Sequence, residues 1–415
     1  MLTSLFPIAH TRYASLPVLG DVLENLCSWL QARGFPPDAI RRRIGAARFL
    51  DQRLRRREIR SLHGCTAVDL RACLPRGRRW TAQIAFALGR SLLEYLQERG
   101  DLVGTATTPS EELIRAYRAY LERVRGLAPR TVRQHARLTG DVLRFLTYDE
   151  RSLGLRGLQV AEIDAFVAHV GARVGRITMQ NVVMILRSFL RFLAAHGQAP
   201  TGLAQQIESP RRYRDERLVR ALPWDDVRSL LRAVDRSTLK GRRDYAMLLL
   251  IATYGLRVSE VASLDLDDVV WRARVIHVPR PKAGTPLAVP LTDEVASALL
   301  DYLHHRSPTV GHRRLFCRVR VPPGPIQATA VSDAFDVWAA RAGLRVPTIG
   351  GPHCLRHSLA MHLLRQGTPL KTIGDLLGHR RVESTGVYLR LHVEDLRDVA
   401  LSLPTVTPPI SAVRS

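Results

Sequence analysis

Two segments in the N-terminal half share one residue pattern, and this repeat constrains the fold more than any other feature. WLQARGFPPDAIR (29–41) and YLERVRGLAPRTVR (120–133) both contain Arg-Gly-apolar-x-Pro-x-x-apolar-Arg. Glycine commonly ends a helix and proline is favoured in the first turn of the next, so each segment predicts two helices joined by a tight turn. A second pair, RSLLEYLQERG (90–100) and RSFLRFLAAHG (187–197), follows in the same order. The sequence therefore predicts two related helical modules.

The length of the chain and its shifts in composition predict several domains. We expect an N-terminal helical module over residues 1–104 that duplicates a second helical module over 105–207. Helical hairpins also look alike by chance, although two matching segments in the same order favour duplication. A charged linker over 208–221 leads to a third domain over 222–403, and a loose, proline-rich tail covers 404–415.

Apolar residues at three- and four-residue spacing predict helix through most of the chain, including a helix that starts at Ser110. The third domain carries a hairpin signal in RVIHVPRPKAGTPLAVPL (274–291), where the runs VIHV and LAVP flank a Pro/Gly turn. The expected fold class is mainly α, with helical N-terminal modules and a mixed α+β third domain that contains a small antiparallel sheet.

The charge balance indicates a polyanionic partner. Lysine and arginine number 62 against 38 acidic residues, which gives a net charge of +24. Nucleic acid and an anionic membrane surface both fit this surplus. However, the longest apolar run, AMLLLIATYGL (246–256), is too short to span a bilayer and predicts a buried core helix. The N-terminus also lacks the pattern of a secretory signal, so nucleic acid is favoured.

Five cysteines are scattered along the chain, and none forms a CxxC pair. This pattern is typical of reduced thiols and argues against a thiolate zinc site. We expect a cytoplasmic protein of bacterial type, associated with the nucleoid.

Four stretches of the third domain carry polar residues that a core does not need. They are TYGLRVSE, PKAG, GPHCLRHS and LLGH, and a tyrosine follows nine positions after the last histidine. The candidate site residues in these stretches are Arg257, Glu260, Lys282, His353, Arg356, His357, His379 and Tyr388.

These residue types suit the attack of a tyrosine on a phosphate. A phenol has a pKa of about 10, so it needs a base or strongly positive surroundings to attack at neutral pH. Two arginines can clamp the equatorial oxygens of the pentavalent phosphate, and a lysine can protonate the leaving 5′-oxygen. Histidines can act as base and as hydrogen-bond donors. The set fills every role without a metal, ATP or another cofactor.

The order and spacing of these motifs resemble those of the tyrosine recombinase (phage integrase) family. Each motif alone is weak in an arginine-rich chain, but four in order within one domain are specific. The resemblance covers 222–395, and 105–203 resembles the family's SAM-like core-binding domain, whereas residues before 104 are not part of the minimal family plan. The resemblance implies site-specific DNA cleavage and rejoining through a 3′-phosphotyrosyl link, for integration, excision or transposition of a mobile element.

The resemblance also implies roles for the central residues. Tyr388 attacks the scissile phosphate, Arg257 and Arg356 bind its non-bridging oxygens, and Lys282 protonates the 5′-hydroxyl. Lys282 is one of only three lysines in the chain. Its turn, residues 280–284, has less glycine and lysine than is usual in the family.

Three histidines and a carboxylate complete the implied site. His353 assists proton removal from the nucleophile, His379 donates a hydrogen bond to the phosphate, and His357 supports the site. Glu260 orients its helix or pairs with an arginine. His353 and His357 also have the i, i+4 spacing of two metal ligands, but the HExxH glutamate is absent, so we expect a metal-independent site.

The arginine surplus either contacts DNA phosphates or forms solvated helix faces, and we expect the former. The expected partner is double-stranded DNA, held by a homo-tetramer on synapsed sites, with or without sister recombinases. The amphipathic segment 391–403 is a candidate for docking on a neighbouring protomer. The predicted DNA-binding residues are Arg41, Arg130, Arg133, Arg187, Arg211, Arg212, Arg380 and Arg381.

Other interpretations stay open at the level of sequence. Tyr388 taken alone fits a core aromatic as well as a nucleophile. The chain could also be a catalytically inactive DNA-binding accessory factor with the same fold, although an inactive copy would be free to lose some of the motif residues. A type IB topoisomerase-like enzyme, which relaxes DNA by the same chemistry, is the other alternative.

Overall fold

The computed structural model of this chain describes residues 1–75, 77, 79–103, 108–152, 154–210, 221–279, 286–306, 312–344 and 351–378. The chain divides into two compact units, Met1–Cys27 with Arg41–Glu216, and Ser28–Ile40 with Arg217–Ser415. The finer division into a module over 1–104, a module over 105–207 and a third domain stays a prediction.

The described part of the N-terminal module consists of helices and short connections. The helices are α1 (Leu2–Leu5), α2 (His10–Ala14), α3 (Gly20–Ala32), α4 (Pro37–Gly45), α5 (Ala47–Arg55), α6 (Ala67–Cys73) and α7 (Trp80–Arg99). Gly34, with φ +79, makes the turn between α3 and α4. The buried carboxylate of Asp51 accepts hydrogen bonds from the backbone N–H groups of Val18 and Leu19 (2.9 and 3.0 Å), and this contact fixes the start of α3.

The second module is also helical, with a 3-10 turn at Tyr148–Glu150. Its helices are α8 (Pro109–Arg123), α9 (Pro129–Phe145), α10 (Val160–Gly171), α11 (Arg176–Ala195) and α12 (Leu203–Gln206). The start of α8 lies at Pro109, one residue before the predicted start, because Thr108 is the cap and accepts from the backbone N–H of Glu111. Ser110 instead donates its hydroxyl to the carboxylate of Asp149 (2.8 Å).

Tyr117 lies at the centre of the second module's core. Its hydroxyl donates to Ser188 Oγ (2.9 Å) and lies 3.0 Å from Nδ1 of the buried His135. Its ring packs against Phe189 and Phe192 on α11, with centroid distances of 5.1 and 5.0 Å. By length and composition α11 could cross a membrane, but half of it is buried inside the module, which is typical of a core helix.

The described part of the third domain combines helices with three short strands, and a 3-10 turn at Leu266–Asp268 precedes the first strand. Its elements are α13 (Trp224–Arg232), α14 (Leu239–Tyr254), α15 (Val258–Ser263), β1 (Val269–Val270), β2 (Val275–Val278), β3 (Leu287–Pro290), α16 (Asp293–His305), α17 (Ala328–Arg341), α18 (His353–Arg365) and α19 (Leu370–Leu377).

The strands form an antiparallel sheet in the order β1-β2-β3. Ile276 pairs with Val269 on one side and with Val289 on the other, and all three side chains are buried. The predicted hairpin is confirmed, since its two strands are the runs VIHV and LAVP. β1 is an additional strand that the sequence did not predict.

Helix α14 is the central helix of this domain's core. Residues 246–252 are all buried, so the prediction of a buried core helix is confirmed. The buried carboxylate of Asp244 accepts from Lys240 Nζ (2.7 Å), Arg243 Nη2 (2.7 Å) and Trp338 Nε1 (3.0 Å), which offsets the cost of burying its charge. The predicted fold class, mainly α with a small antiparallel sheet, is confirmed.

Candidate active site

The turn after α14 positions Arg257. Gly255 ends the helix in the left-handed conformation (φ +64), and Arg257 is the residue that precedes α15. A Cβ atom on residue 255 would lie 2.6 Å from Cδ2 of Leu377, so glycine is required both for the turn and for the close approach of α19. As a result, Arg257 Nη2 lies 3.4 Å from the carbonyl oxygen of Gly378 and donates to it.

Glu260 holds Arg257 at two points. One carboxylate oxygen accepts from Arg257 Nη1 (2.6 Å) and the other accepts from the Arg257 backbone N–H (2.8 Å). The Glu260 side chain is 5% exposed and the Arg257 side chain 26%, so the pair is largely shielded from water. A charged hydrogen bond in such surroundings fixes the guanidinium group in one orientation. Glu260 therefore both caps α15 and pairs with Arg257, which are the two alternatives that the sequence left open.

Arg356 is buried in the first turns of α18, with 1% of its surface exposed. Its Nη1 donates to the carbonyl oxygen of Gly255, and its Nη2 donates to the carbonyl oxygen of Leu377. These bonds join the ends of α14 and α19 to α18. They also satisfy backbone carbonyls that a helix leaves unpaired at its end.

Arg257 and Arg356 thus converge on one turn, because Gly378 and Leu377 are neighbours in the chain. They come from parts of the sequence about a hundred residues apart, and the fold brings both guanidinium groups to the end of α19. Two fixed guanidinium groups form a site for an anion with several oxygens, such as a phosphate. The next residue in the chain is His379.

His353 and His357 lie one helical turn apart on α18, with ring centroids 4.5 Å apart and ring planes at 77°. Part of His353 reaches solvent, but its pKa is lowered, first by desolvation of the ring and then by the positive charges of Arg356 and Arg257. The ring is therefore neutral at neutral pH and can accept a proton. His357 is half-buried beside it.

Several predicted residues lie outside the described residues: Lys282, His379, Tyr388, Arg211, Arg212, Arg380 and Arg381, as well as the segment 391–403. The strands on both sides of the turn that carries Lys282 are described. That turn runs between Val278 at the end of β2 and Leu287 at the start of β3.

The four described arginines that the sequence assigned to DNA differ in their surroundings. Arg130 and Arg133 are exposed on α9 and have no hydrogen-bond or ion-pair partner in the described part of the chain. Arg41 is exposed, but its Nε donates to a backbone carbonyl at the end of α1 (3.0 Å). Arg187 is half-buried, and its Nη2 donates to a backbone carbonyl just after α12, so part of its hydrogen bonding stabilises the module itself.

Sequence reasoning missed the contribution of Ser358. This residue is buried on α18, and its Oγ accepts from the backbone N–H of Leu222 (2.7 Å) and donates to the Cys354 carbonyl (2.9 Å). It thereby ties the start of the third domain to the helix that carries Arg356. The available signal was a single serine within the otherwise apolar run that follows the LRH motif.

Comparison with known protein sequences identifies relatives over most of the chain. The profile of the phage integrase family matches residues 220–395, and that of the phage integrase N-terminal SAM-like domain matches residues 114–197. An integrase/recombinase of Sinorhizobium fredii is 34% identical over 321 residues, which cover 76% of this chain and 78% of that protein. Tyrosine recombinase XerD of Listeria monocytogenes is 30% identical over 297 residues, which cover 69% of this chain and 97% of that protein.

Solved structures share the fold. The XerH site-specific recombinase bound to difH substrate has a TM-score of 0.52 and 17% identity, and the match covers 75% of this chain and 88% of that one. A lambda integrase dimer bound to a core site has a TM-score of 0.51 and 18% identity, and the match covers 71% of this chain and 99% of that one. The structural likeness shows a common fold, and the sequence relatives show common descent. The chain therefore belongs to the phage integrase family, the tyrosine recombinases, as its motif series predicted.

Proposed function

We propose that this protein is a site-specific DNA recombinase that cleaves and rejoins strands through a 3′-phosphotyrosyl link and serves the integration, excision or transposition of a mobile element. Its family supports DNA cleavage and rejoining. The observation that carries the proposal is the convergence of Arg257 and Arg356 on the turn formed by Leu377 and Gly378. This turn immediately precedes His379, the third residue predicted to contact phosphate.

The two guanidinium groups bind the non-bridging oxygens of the scissile phosphate. Negative charge on these oxygens must be stabilised as the phosphoryl group is transferred, and donors that are already fixed stabilise it without reorganising. Arg257 is fixed by the Glu260 carboxylate and Arg356 by two backbone carbonyls. In other enzymes the removal of one preorganised donor costs about 10²–10³ in rate.

Tyr388 is the nucleophile in this proposal. Its oxygen bonds to phosphorus while the bond from phosphorus to the 5′-oxygen breaks. The phenol proton passes to His353, whose lowered pKa keeps the ring neutral beforehand, and Lys282 protonates the departing 5′-oxygen. His379 donates a hydrogen bond to the phosphate. The order of the motifs in the sequence supports these four roles.

Rejoining reverses the same steps. The 5′-hydroxyl of a second strand attacks the phosphotyrosine, and Tyr388 leaves with its proton restored. Each stable state, namely the intact strand, the phosphotyrosyl link and the rejoined strand, contains one phosphodiester bond at this phosphorus, so the energy of the bond is retained and the reaction needs no ATP.

The partner is double-stranded DNA, bound by a homo-tetramer on two synapsed sites, with or without sister recombinases. The excess of 62 basic over 38 acidic residues supports a polyanionic partner. Among proteins of similar fold, XerH is bound to its difH substrate and lambda integrase is a dimer on a core site. The segment 391–403 docks on a neighbouring protomer, and the protein acts at the bacterial nucleoid in the cytoplasm.

A suicide substrate tests the proposal. DNA sites are first selected in vitro by binding to the protein, and a nick beside the cleavage point then lets a short fragment diffuse away and traps the covalent adduct. The natural protein should form the adduct, and Tyr388→Phe should bind the same DNA without forming it. Binding without an adduct by the natural protein would favour an accessory factor. Relaxation of supercoiled DNA that lacks the selected site would favour a type IB topoisomerase.

A further inference from the structure

The N-terminal module lies outside the segments matched by the two family profiles, which begin at residue 114. Its local geometry nevertheless repeats that of the second module. In each, a helix ends before a left-handed glycine, Gly34 (φ +79) or Gly126 (φ +57), and the next helix begins at a proline, Pro37 or Pro129. Each module also contains a 20-residue helix, α7 or α11. Helix α7 packs against α5, the second helix after the turn, and α11 packs against α9, the helix that follows the turn directly.

The helices that follow the turn have buried residues at corresponding positions in the two modules. Helices α4 and α5, which only Ala46 separates, correspond to the single helix α9 at a constant offset in the sequence. The shared buried positions are Ile40, Ala47, Leu50, Asp51 and Leu54 in one module and Val132, Thr139, Val142, Leu143 and Leu146 in the other.

The long helices repeat in the same way. Their shared buried positions are Ala85, Leu88, Gly89, Leu92, Leu93, Tyr95 and Leu96 on α7 and Val182, Ile185, Leu186, Phe189, Leu190, Phe192 and Leu193 on α11. Most buried positions thus recur along the corresponding helices, although Val183 and Ile44 are buried where Phe86 and Ala136 are not, and this recurrence indicates one module built twice.

Exposed arginines follow one another along α4, α5 and the residue after α5, and Arg42, Arg48 and Arg56 are here called the arginine stripe. All three are exposed and have no hydrogen-bond or ion-pair partner within the described ranges. On α4 and α5 the acidic residues are Asp38, which is exposed, and Asp51, which is buried. Over 1–104 the sequence has 17 arginines against nine acidic residues, a larger excess than the 14 against eight of 105–207.

The corresponding helix of the second module also carries exposed arginines, although at positions other than those of the arginine stripe. Arg130, Arg133 and Arg137 are exposed on α9 and likewise have no partner among the described residues. Exposed arginines without a partner among the described residues, present in both modules, are typical of contacts to a polyanion, even though Asp38 lies four residues before Arg42 and Asp141 four residues after Arg137.

We infer that the arginine stripe of the N-terminal module binds the phosphate backbone of duplex DNA, in addition to the contacts made by the rest of the chain. Arg48 and Arg56 alone are eight residues apart, which is about 12 Å along a helix at 1.5 Å per residue. Phosphates follow one another about every 3.4 Å along the axis of one strand, so a single strand offers several within this reach. The inference concerns binding only and is independent of the chemistry at Tyr388.

The salt dependence of DNA binding tests the inference in the full-length protein. The triple variant Arg42→Gln/Arg48→Gln/Arg56→Gln should bind mixed-sequence duplex DNA with a log–log salt slope that is shallower by about 2.7, since each lost phosphate contact contributes about 0.9. The matched control, Arg12→Gln/Arg71→Gln/Arg90→Gln, removes three other exposed arginines of the same module and should keep the natural slope. An unchanged slope in the stripe variant, or an equal loss in the control, overturns the inference.

Chemical protection tests the same contact in the unmodified protein, where folding of a variant is not in question. Phenylglyoxal modification, read by mass spectrometry, should slow at Arg42, Arg48 and Arg56 when mixed-sequence DNA is added. If modification is unaffected by DNA, or if the stripe is protected only by phosphatidylserine vesicles or by self-association without DNA, the inference is wrong. Covalent adduct formation on the suicide substrate, measured on the same preparation, shows separately whether the proposed recombinase chemistry holds.

Discussion

Arginine has different surroundings in the two halves of this molecule. In the third domain, Arg356 is 1% exposed and donates to two backbone carbonyls, and Arg257 is held by a largely buried carboxylate. On α5 and α9, Arg48 and Arg133 are exposed and have no partner in the part of the chain that the structure describes. A fixed guanidinium can stabilise charge that develops during a reaction, whereas a solvated one contributes mainly by displacing counterions. Substitutions should therefore separate chemistry from binding.

The largest effect is expected for Arg356→Ala. The rate of adduct formation at saturating DNA should fall on the order of a thousandfold, because a preorganised donor set is lost, while the affinity for DNA changes little. The two carbonyls left without their donors should also lower the stability of the third domain by on the order of 2 kcal/mol.

Arg356→Lys serves as the fold control for this prediction. Lysine retains the charge but lacks the planar fork that reaches two carbonyls and a phosphate together, so it should still cleave far more slowly than the natural protein. If Arg356→Lys cleaves at the natural rate, the cleavage rate does not depend on the geometry of the guanidinium group. Circular dichroism melting should confirm that both variants are folded at the assay temperature.

Glu260→Gln should have an intermediate effect. Glutamine keeps the shape of the side chain but removes the charge that orients Arg257, and a hydrogen bond to a charged group contributes about 1.5–3 kcal/mol. Cleavage should slow by roughly ten- to a hundredfold at unchanged DNA affinity. Asp267→Asn is the matched control, since it breaks an exposed ion pair with Arg313 in the same domain, and it should cleave normally. Equal slowing in both variants would contradict the proposal that Glu260 supports cleavage by orienting Arg257.

The pH dependence of cleavage sharpens the assignment of His353. Its ring must be neutral to accept the phenol proton, and its pKa lies below the ordinary value of about 6.5 because of desolvation and the two neighbouring arginines. The rate of adduct formation should therefore stay level as the pH falls to about 6.5 and decline only below it. His353→Gln should form the adduct more slowly at every pH, and its rate should no longer decline below pH 6.5. A decline that begins above pH 6.5, or an unaltered limb in the variant, would rule out His353 as the acceptor.

The smallest effect is expected for single arginines on the exposed faces. Arg133→Gln should reduce the log–log salt slope of DNA binding by about 0.9 and leave the cleavage rate at saturating DNA unchanged. Arg151→Gln is the control, because Arg151 pairs with Glu162 (2.5 Å) and should contribute nothing to the slope. A cleavage defect in Arg133→Gln at saturating DNA would contradict the division between the two kinds of arginine.

Much of the fold could be predicted because the signals were local. The strands VIHV and LAVP were located to the residue, since β-branched and apolar runs flank a turn signal. The strand Val269–Val270 was missed because two residues carry no periodicity and are defined only by their partners Val275 and Ile276. The start of α8 was misplaced by one residue because two neighbouring hydroxyls compete for the cap, and Asp149, distant in sequence, binds the hydroxyl of Ser110.

The candidate site was predictable in its residue types but not in its packing. The motif series indicated Arg257, Arg356 and Glu260, and the structure brings these three residues to neighbouring helix ends. The carbonyl oxygens of Gly255 and Leu377, which hold Arg356, have no signature in a sequence because every residue has a carbonyl. The roles of the individual site residues and the domain boundaries stay predictions.

The most direct test of the central claim replaces the scissile phosphate with a neutral methylphosphonate in the suicide substrate. If Arg257 and Arg356 neutralise charge on the non-bridging oxygens, removal of that charge from the substrate should make an arginine less necessary. The rate ratio between the natural protein and Arg356→Ala should then be much smaller on methylphosphonate than on phosphodiester. An equally large ratio on both substrates would show that Arg356 does not act on the charge of the phosphate and would contradict the account.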